Sequence, residues 1–284
     1  MNYKKHNLTS KITTMRKVLF LLVFFSTASL GMSQIVSERY KLVVEKCDMQ
    51  DYKGAIAILD DLIKMNATDA FAYGLRGRIK TDLNDYKGSI EDVTKALEID
   101  PNYEKAYFIR GSAKIGIEDF SGAIVDINKG LAINPYDAIA YSLRGFAKFN
   151  LKDNAGAISD YDKAIEIDPG EADFYGSRGN VKGFKLNDWQ GSIADYNKAI
   201  ELNSDNKKFY FSRGFAKFSI KDYSGALADH SKALEMDPMN PLFLYSVGIC
   251  KFNLGDKTGG CSDLKKAAEL GYTEAAKAIK QYCQ

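Results

Sequence analysis

The sequence is short of the residues on which most active-site chemistry depends. Among 284 residues there are two histidines, His6 and His230, one tryptophan and four cysteines. His6 lies in a segment read below as removed, so one histidine remains, which weighs against His-dependent catalysis and His-rich metal sites. Five prolines are too few for a Pro-rich linker or a collagen-like chain. Long apolar runs are missing after Phe25, which leaves no later segment able to span a bilayer. An excess of either charge is missing too, with 39 basic and 37 acidic residues, so there is no basic body to attract nucleic acid. Apolar residues at 45% and charged residues at 27% are ordinary globular proportions and exclude a mainly disordered chain.

The N-terminus differs from the rest. Residues 1–33 carry Lys4, Lys5, Lys11, Arg16 and Lys17 and no acid. Without those five bases, 34 basic residues face 37 acidic ones, a net charge of −3. Met15-Arg16-Lys17 precedes the apolar run 18–25 and then the small residues of 26–33. A positive stub, a short apolar run and small residues make a secretory signal peptide, with Met15 as an alternative start. Cleavage is expected before Gln34, or else before Met32. The alternative is an uncleaved anchor within 18–32, but eight strictly apolar residues are too few to cross about 30 Å as a helix. No cysteine follows Gly31, so lipidation has no acceptor. An exported chain, periplasmic or extracellular and without stable membrane insertion after cleavage, is the expectation.

The remainder repeats. Ile99-Asp100-Pro101, Ile133-Asn134-Pro135 and Ile167-Asp168-Pro169 are 34 residues apart, and Met236-Asp237-Pro238 lies 69 further on. A lysine recurs at Lys46, Lys80, Lys114, Lys148, Lys182, Lys217 and Lys251, and a glycine at Gly54, Gly88, Gly122, Gly156, Gly191, Gly225 and Gly259. The single 35-residue step points to one insertion, placed at Gly183. Each unit reads as two helices. In residues 138–171, Tyr141, Gly145 and Lys148 lie on the first, and Leu151-Lys152-Asp153 is the turn, with Asp153 placed to cap the second. Ala157, Ile158, Tyr161, Ala164 and Ile165 form the second helix's apolar stripe before Asp168-Pro169 stops it.

The series Tyr141, Gly145, Ala157, Tyr161, Ala164, Pro169 resembles the tetratricopeptide repeat (TPR), with its aromatic, Gly, Ala, aromatic, Ala and Pro at these offsets. The resemblance covers 36–271 and implies an all-α fold, a right-handed superhelical α-solenoid of seven helix-turn-helix units. Their bounds are 36–69, 70–103, 104–137, 138–171, 172–206, 207–240 and 241–271. Residues 272–284 read as a capping helix with Ala275, Ala276, Ile279 and Tyr282 on one face. Unit one departs most, with Arg39, Val43 and Ala67 in place of the aromatic, Gly and Pro.

Two ladders run through the units. Position 7 is Arg76, Arg110, Arg144, Arg178 and Arg213 in units two to six, and position 23 is Asp92, Asp126, Asp160, Asp195 and Asp229. Unit one has Leu42 and Ile58 instead, so the two charges come and go together except in unit seven, where Val247 accompanies Asp263. A bidentate Arg–carboxylate pair within each unit is expected, ahead of an arginine stair for an anionic ligand. The lysine ladder falls near the end of each first helix, where a cation suits the dipole, and is read as solvated or paired. No phosphate loop, zinc motif or nucleophile elbow occurs, so no catalytic residue, metal or cofactor is expected. His230 stands at a slot filled elsewhere by Leu59, Val93, Ile127, Tyr161, Tyr196 and Leu264, and is read as packing. Cys47 and Cys250 read as unbridged, and Cys261 with Cys283 as a disulfide pinning the cap.

Positions 2, 5, 9 and 12 of each first helix share a stripe away from the second helix. In units three to seven it holds Phe108, Phe146, Phe149, Phe184, Phe211, Phe215, Phe218, Tyr245 and Phe252. The resemblance implies that this strip lines the concave side, where it suits a protein or peptide partner; the same rings could instead pack first helices together. The expected function is a non-enzymatic binding scaffold in the cell envelope. The alternative is a structural component of an envelope assembly that uses its convex face or its ends.

Overall fold

The computed structural model describes residues 30–283, with side chains from Gln34 onward. The signal-peptide reading of 1–33, with its cuts and its apolar run, lies outside that description except for the backbone of 30–33, which forms the first turn of α1. The described residues form fifteen helices and no strand. They are α1 (Leu30–Asp48), α2 (Tyr52–Met65), α3 (Ala70–Asp82), α4 (Tyr86–Ile99), α5 (Glu104–Gly116), α6 (Phe120–Ile133), α7 (Ala138–Asn150), α8 (Asn154–Ile167), α9 (Ala172–Leu186), α10 (Trp189–Leu202), α11 (Lys207–Ser219), α12 (Tyr223–Met236), α13 (Pro241–Asn253), α14 (Lys257–Glu269) and α15 (Thr273–Tyr282). The fold is a helical repeat solenoid. Two compact bodies divide it, one ending at Pro135 with α1–α6 and one starting at Tyr136 with α7–α15. Inside each body, every helix packs on the next in the chain.

The same local chemistry builds every pair. Within a pair the turn contains one residue with positive φ, from Asn187 at 55° to Lys152 at 67°, and Gly255 at 91° in the last pair. The aspartate that follows caps the second helix: Asp153 accepts from the Gly156 N–H at 2.9 Å, and Asp51, Asp85, Asp119, Asp188, Asp222 and Asp256 do the same for the glycine three residues on. The recurrent glycine is therefore half of an Asp-x-x-Gly cap. Close approach of the two helices needs small residues at their crossing. A Cβ on Gly145 would come within 3.2 Å of the Ala157 carbonyl oxygen. Ala157, Ala164, Ala226, Ala233 and their counterparts are fully buried there.

The one longer unit absorbs its extra residue inside the first helix. Helix α9 has 15 residues where α7 and α11 have 13, and it ends on Asn187 with φ of 55°. Gly183 is buried against α10, where a Cβ would meet Ser192 Oγ and the Trp189 ring at 2.9 Å.

The C-terminal helix α15 buries Ala275 and Ala278 against Leu244, Leu264 and Ala267, with Ile279 and Tyr282 packed alongside. Ala276, expected on this face, is exposed. Three residues separate Ala275 from Ala278, which keeps them on one side of the helix, whereas the adjacent Ala276 is turned about 100° away. Cys261 and Cys283 are joined, with Cα atoms 5.7 Å apart, so the end of α15 is tied to the start of α14.

Candidate functional site

Units two to six each hold a charged cluster between their helices. Arg144 donates from Nε to Asp160 Oδ2 at 2.9 Å and from Nη2 to Oδ1 at 2.6 Å, the expected bidentate pair. The same geometry joins Arg76 to Asp92, Arg110 to Asp126, Arg178 to Asp195 and Arg213 to Asp229. The lysine ladder converges on the same carboxylates. Lys80, Lys114, Lys148, Lys182 and Lys217 each lie 2.8–2.9 Å from the position-23 aspartate of their own unit. In the last unit Lys251 meets Asp263 at 2.7 Å without an arginine. Only Lys46, whose unit has Ile58 at that slot, turns to its cap residue Asp51, at 2.7 Å.

Arg76, Arg110, Arg178 and Arg213 also reach the preceding helix pair. Nη1 donates to Asp60 from Arg76 (2.6 Å), to Thr94 from Arg110 (3.1 Å), to Asp162 from Arg178 (2.5 Å) and to Asn197 from Arg213 (2.7 Å). Tyr73, Tyr107, Tyr141, Tyr175 and Tyr210 lie under the guanidinium groups at 5.1–5.8 Å. Burial alone would raise the Asp126 carboxyl, but hydrogen bonds from Arg110 and Lys114 outweigh it and hold it below the ordinary value. With acid, arginine and lysine all satisfied inside the protein, the ladder is occupied by its own partners and presents no open row of cations.

The aromatic strip divides into rings that pack inward and rings that stay accessible. Phe108 is buried in the space that a side chain on Gly130 would need. Phe211 lies against His230 and Phe243, at 5.2 and 5.1 Å between ring centroids. Tyr245 meets Tyr272 at 5.1 Å and Phe252 meets Tyr282 at 4.5 Å, so the capping segment occupies that end of the strip. Phe146, Phe149 and Phe218 are half-buried. Lys185 stands over the Phe149 ring at 5.3 Å, and Tyr223 is edge-on to Phe218 at 5.1 Å.

Phe184 and Phe215 are the open rings, 46% and 39% exposed. Their centroids are 5.0 Å apart, and Trp189 closes the cluster at 5.7 Å from Phe184 and 5.9 Å from Phe215. The strip's sequence register omits Trp189 because it opens the second helix of its unit. The signal was nevertheless present: an aromatic follows the cap aspartate at Tyr52, Tyr86, Phe120, Trp189 and Tyr223.

The groups with reactive side chains are buried and subdued. Burial pushes the Cys47 thiol, assisted by Asp82, up to about 11 and the Cys250 thiol up to about 12, so both are neutral near pH 7. His230 is buried beside Gly214 and Phe211, and burial lowers it to about 4. Among the described residues no group of His, Cys, Asp and Glu could hold a metal ion, and no helix is long and apolar enough to cross a membrane.

Comparison with known proteins agrees with this architecture. Residues 72–103 and 138–171 match a family model described as tetratricopeptide repeat, and residues 184–221 match one described as TPR repeat. No curated relative matches the sequence. Among solved structures, the MamA protein is 26% identical with a TM-score of 0.53, over 60% of this chain and 92% of that one. YrrB, described as a TPR protein with an unusual peptide-binding site, is 21% identical with a TM-score of 0.58, over 67% and 99%. A tetratricopeptide repeat protein from Parabacteroides merdae is 19% identical with a TM-score of 0.61, over 88% and 100%. None of the family matches indicates a catalytic family. With the paired helices, the 34-residue period and the repeat models in agreement, the chain is a tetratricopeptide-repeat protein.

Proposed function

We propose that the chain is an exported, non-enzymatic scaffold that holds a protein or peptide partner against the aromatic strip of its first helices. The observation that carries this is the cluster of Phe184, Trp189 and Phe215. Two of its three rings are substantially exposed although they touch one another. Exposed clustered aromatics are the side chains that dominate binding hot spots. Phe146, Phe149 and Phe218 flank the cluster as its rim. YrrB, a neighbour in fold, is described as having a peptide-binding site, which supports the same mode of action. Export is supported by the residue pattern of 1–33 and by the Cys261–Cys283 link, which suits an oxidising compartment. Recognition on this reading is display: rings held by rigid helices meet a partner without first being ordered.

Selection from a random peptide library on the wild-type chain, followed by titration of the selected peptides, tests the proposal. Phe184→Ala and Phe215→Ala should each weaken binding by about 2 kcal/mol with little change in melting temperature. Phe149→Ala and Phe218→Ala separate rim from packing: as rim residues they lower affinity, as packing rings they lower stability. Selected peptides that bind Phe184→Ala and Phe215→Ala as well as wild type would place the binding surface elsewhere.

A further inference from the structure

The two ends of the described chain are finished differently. At the C-terminal end α15 covers the last pair and turns Ala276, Lys277, Lys280 and Gln281 outward, a mostly polar surface. Terminal units of repeat proteins need such a surface to stay soluble. Helix α1 has no such finish. Ile35, Leu42 and Met49 are 47%, 42% and 72% exposed. Ile35 and Leu42 lie seven residues apart on one side of α1, and Met49, seven further on and one residue past the helix end at Asp48, continues their line. Leu42 occupies the position from which the arginines of units two, three, five and six reach back to a preceding pair, and among the described residues no pair precedes α1.

Charge says what fits this stripe. Glu38 and Glu45, three residues after Ile35 and Leu42, line one flank, and both are exposed. Arg39 and Lys46, four residues after, line the other; both are partly exposed, Arg39 being 3.6 Å from Asp61 and Lys46 2.7 Å from Asp51. A stripe with acids on one side and bases on the other complements itself in one arrangement. If two copies of α1 lie parallel about a two-fold axis, the acidic flank of each faces the basic flank of the other. Ile35, Leu42 and Met49 then meet their own counterparts. Antiparallel pairing would set like flanks together. We infer that the occupant of this face is a second copy of the same chain, joined through a parallel α1–α1 contact.

Sedimentation equilibrium of the chain starting at Gln34, the form left by the proposed cleavage, over a wide concentration range is the test. The expected result is a dimer that Leu42→Lys weakens on the order of a hundredfold, with helical circular dichroism unchanged. Glu38→Lys/Glu45→Lys and Arg39→Glu/Lys46→Glu should each be monomeric alone and dimeric when mixed. Mild oxidation should cross-link Ile35→Cys and Met49→Cys to their own counterparts. A chain from Gln34 that is monomeric throughout overturns the inference, as does a dimer indifferent to both Leu42→Lys and the charge reversals. Cross-linking through Leu42→Cys alone overturns the parallel geometry.

Discussion

Units two to six and the two terminal units solve the same packing problem with opposite chemistry. Between the helices of an interior unit, an aspartate is gripped by an arginine and a lysine. At the corresponding places unit one has Leu42 and Ile58, and unit seven has Val247 beside the Lys251–Asp263 pair. The slot can therefore be filled without an arginine, and buried charges are a poor source of net stability against apolar replacements of similar size. What only the arginine supplies is the third hydrogen bond, to the preceding pair. Charge appears where one pair must be registered on another. It is reduced or absent at the ends, where α15 and its disulfide hold the last unit.

The sharpest way to break this contrast is to remove half of one cluster. Asp160→Leu leaves Arg144 and Lys148 facing each other without their shared acid and should cost about 3–5 kcal/mol in equilibrium unfolding. Arg144→Leu/Asp160→Ile, which copies unit one, should cost much less. A double-mutant cycle should therefore give a coupling energy well above the error of additivity.

At the far end the contrast is tested by reduction. Opening Cys261–Cys283 releases a loop of sequence separation 22 and should cost about 3 kcal/mol by chain entropy. Hydrogen exchange should quicken in α14 and α15 first, because repeats support only their neighbours. Equal acceleration along the whole chain would contradict that locality.

His230 makes unit six the interior unit with a pH-dependent core. Its pKa is lowered by burial from 6.5 to about 4. The folded state thus favours the neutral ring, so this contribution is complete above pH 6.5 and is lost as pH falls from 6.5 through 4. Stability should drop by about 2 kcal/mol between pH 7 and pH 4.5 from this group. His230→Tyr, which copies units four and five, should remove that part of the slope. Below about pH 4 the lowered Asp126 carboxyl begins to contribute in the same sense.

The smallest effect is in the turns. Lys152 sits at φ of 67°, where unit seven has Gly255 at 91°. Lys152→Gly should stabilise unit four by at most about 1 kcal/mol, measured as a shift in denaturation midpoint.

The period made the fold legible. Once Pro101, Pro135 and Pro169 set the ruler, helix limits, cap aspartates and the Arg–Asp pairs followed from position alone. The misplacement of Ala276 for Ala278 arose where the ruler stops: among the described residues no second helix pairs with α15 to fix its rotation, and the buried face depends on Leu244 and Leu264. The third arginine contact lay half-hidden. Asp60, Thr94 and Asp162 each precede their arginine by 16 residues and all carry a side-chain oxygen. That pattern gains meaning only when neighbouring pairs are stacked. Accessibility was harder still. Phe108 and Phe184 share a stripe in sequence, and only the rings around them decide that one is buried and the other open.

The single tryptophan gives the molecule an optical use. Trp189 is the only indole in 284 residues, and it touches both open rings of the aromatic cluster. Its emission therefore comes from one place and has no background from elsewhere in the chain. A partner that settles on Phe184 and Phe215 expels water from beside the indole and should shift its spectrum to the blue. Unlabelled protein can thus be titrated at low concentration, with unit five as the reporter.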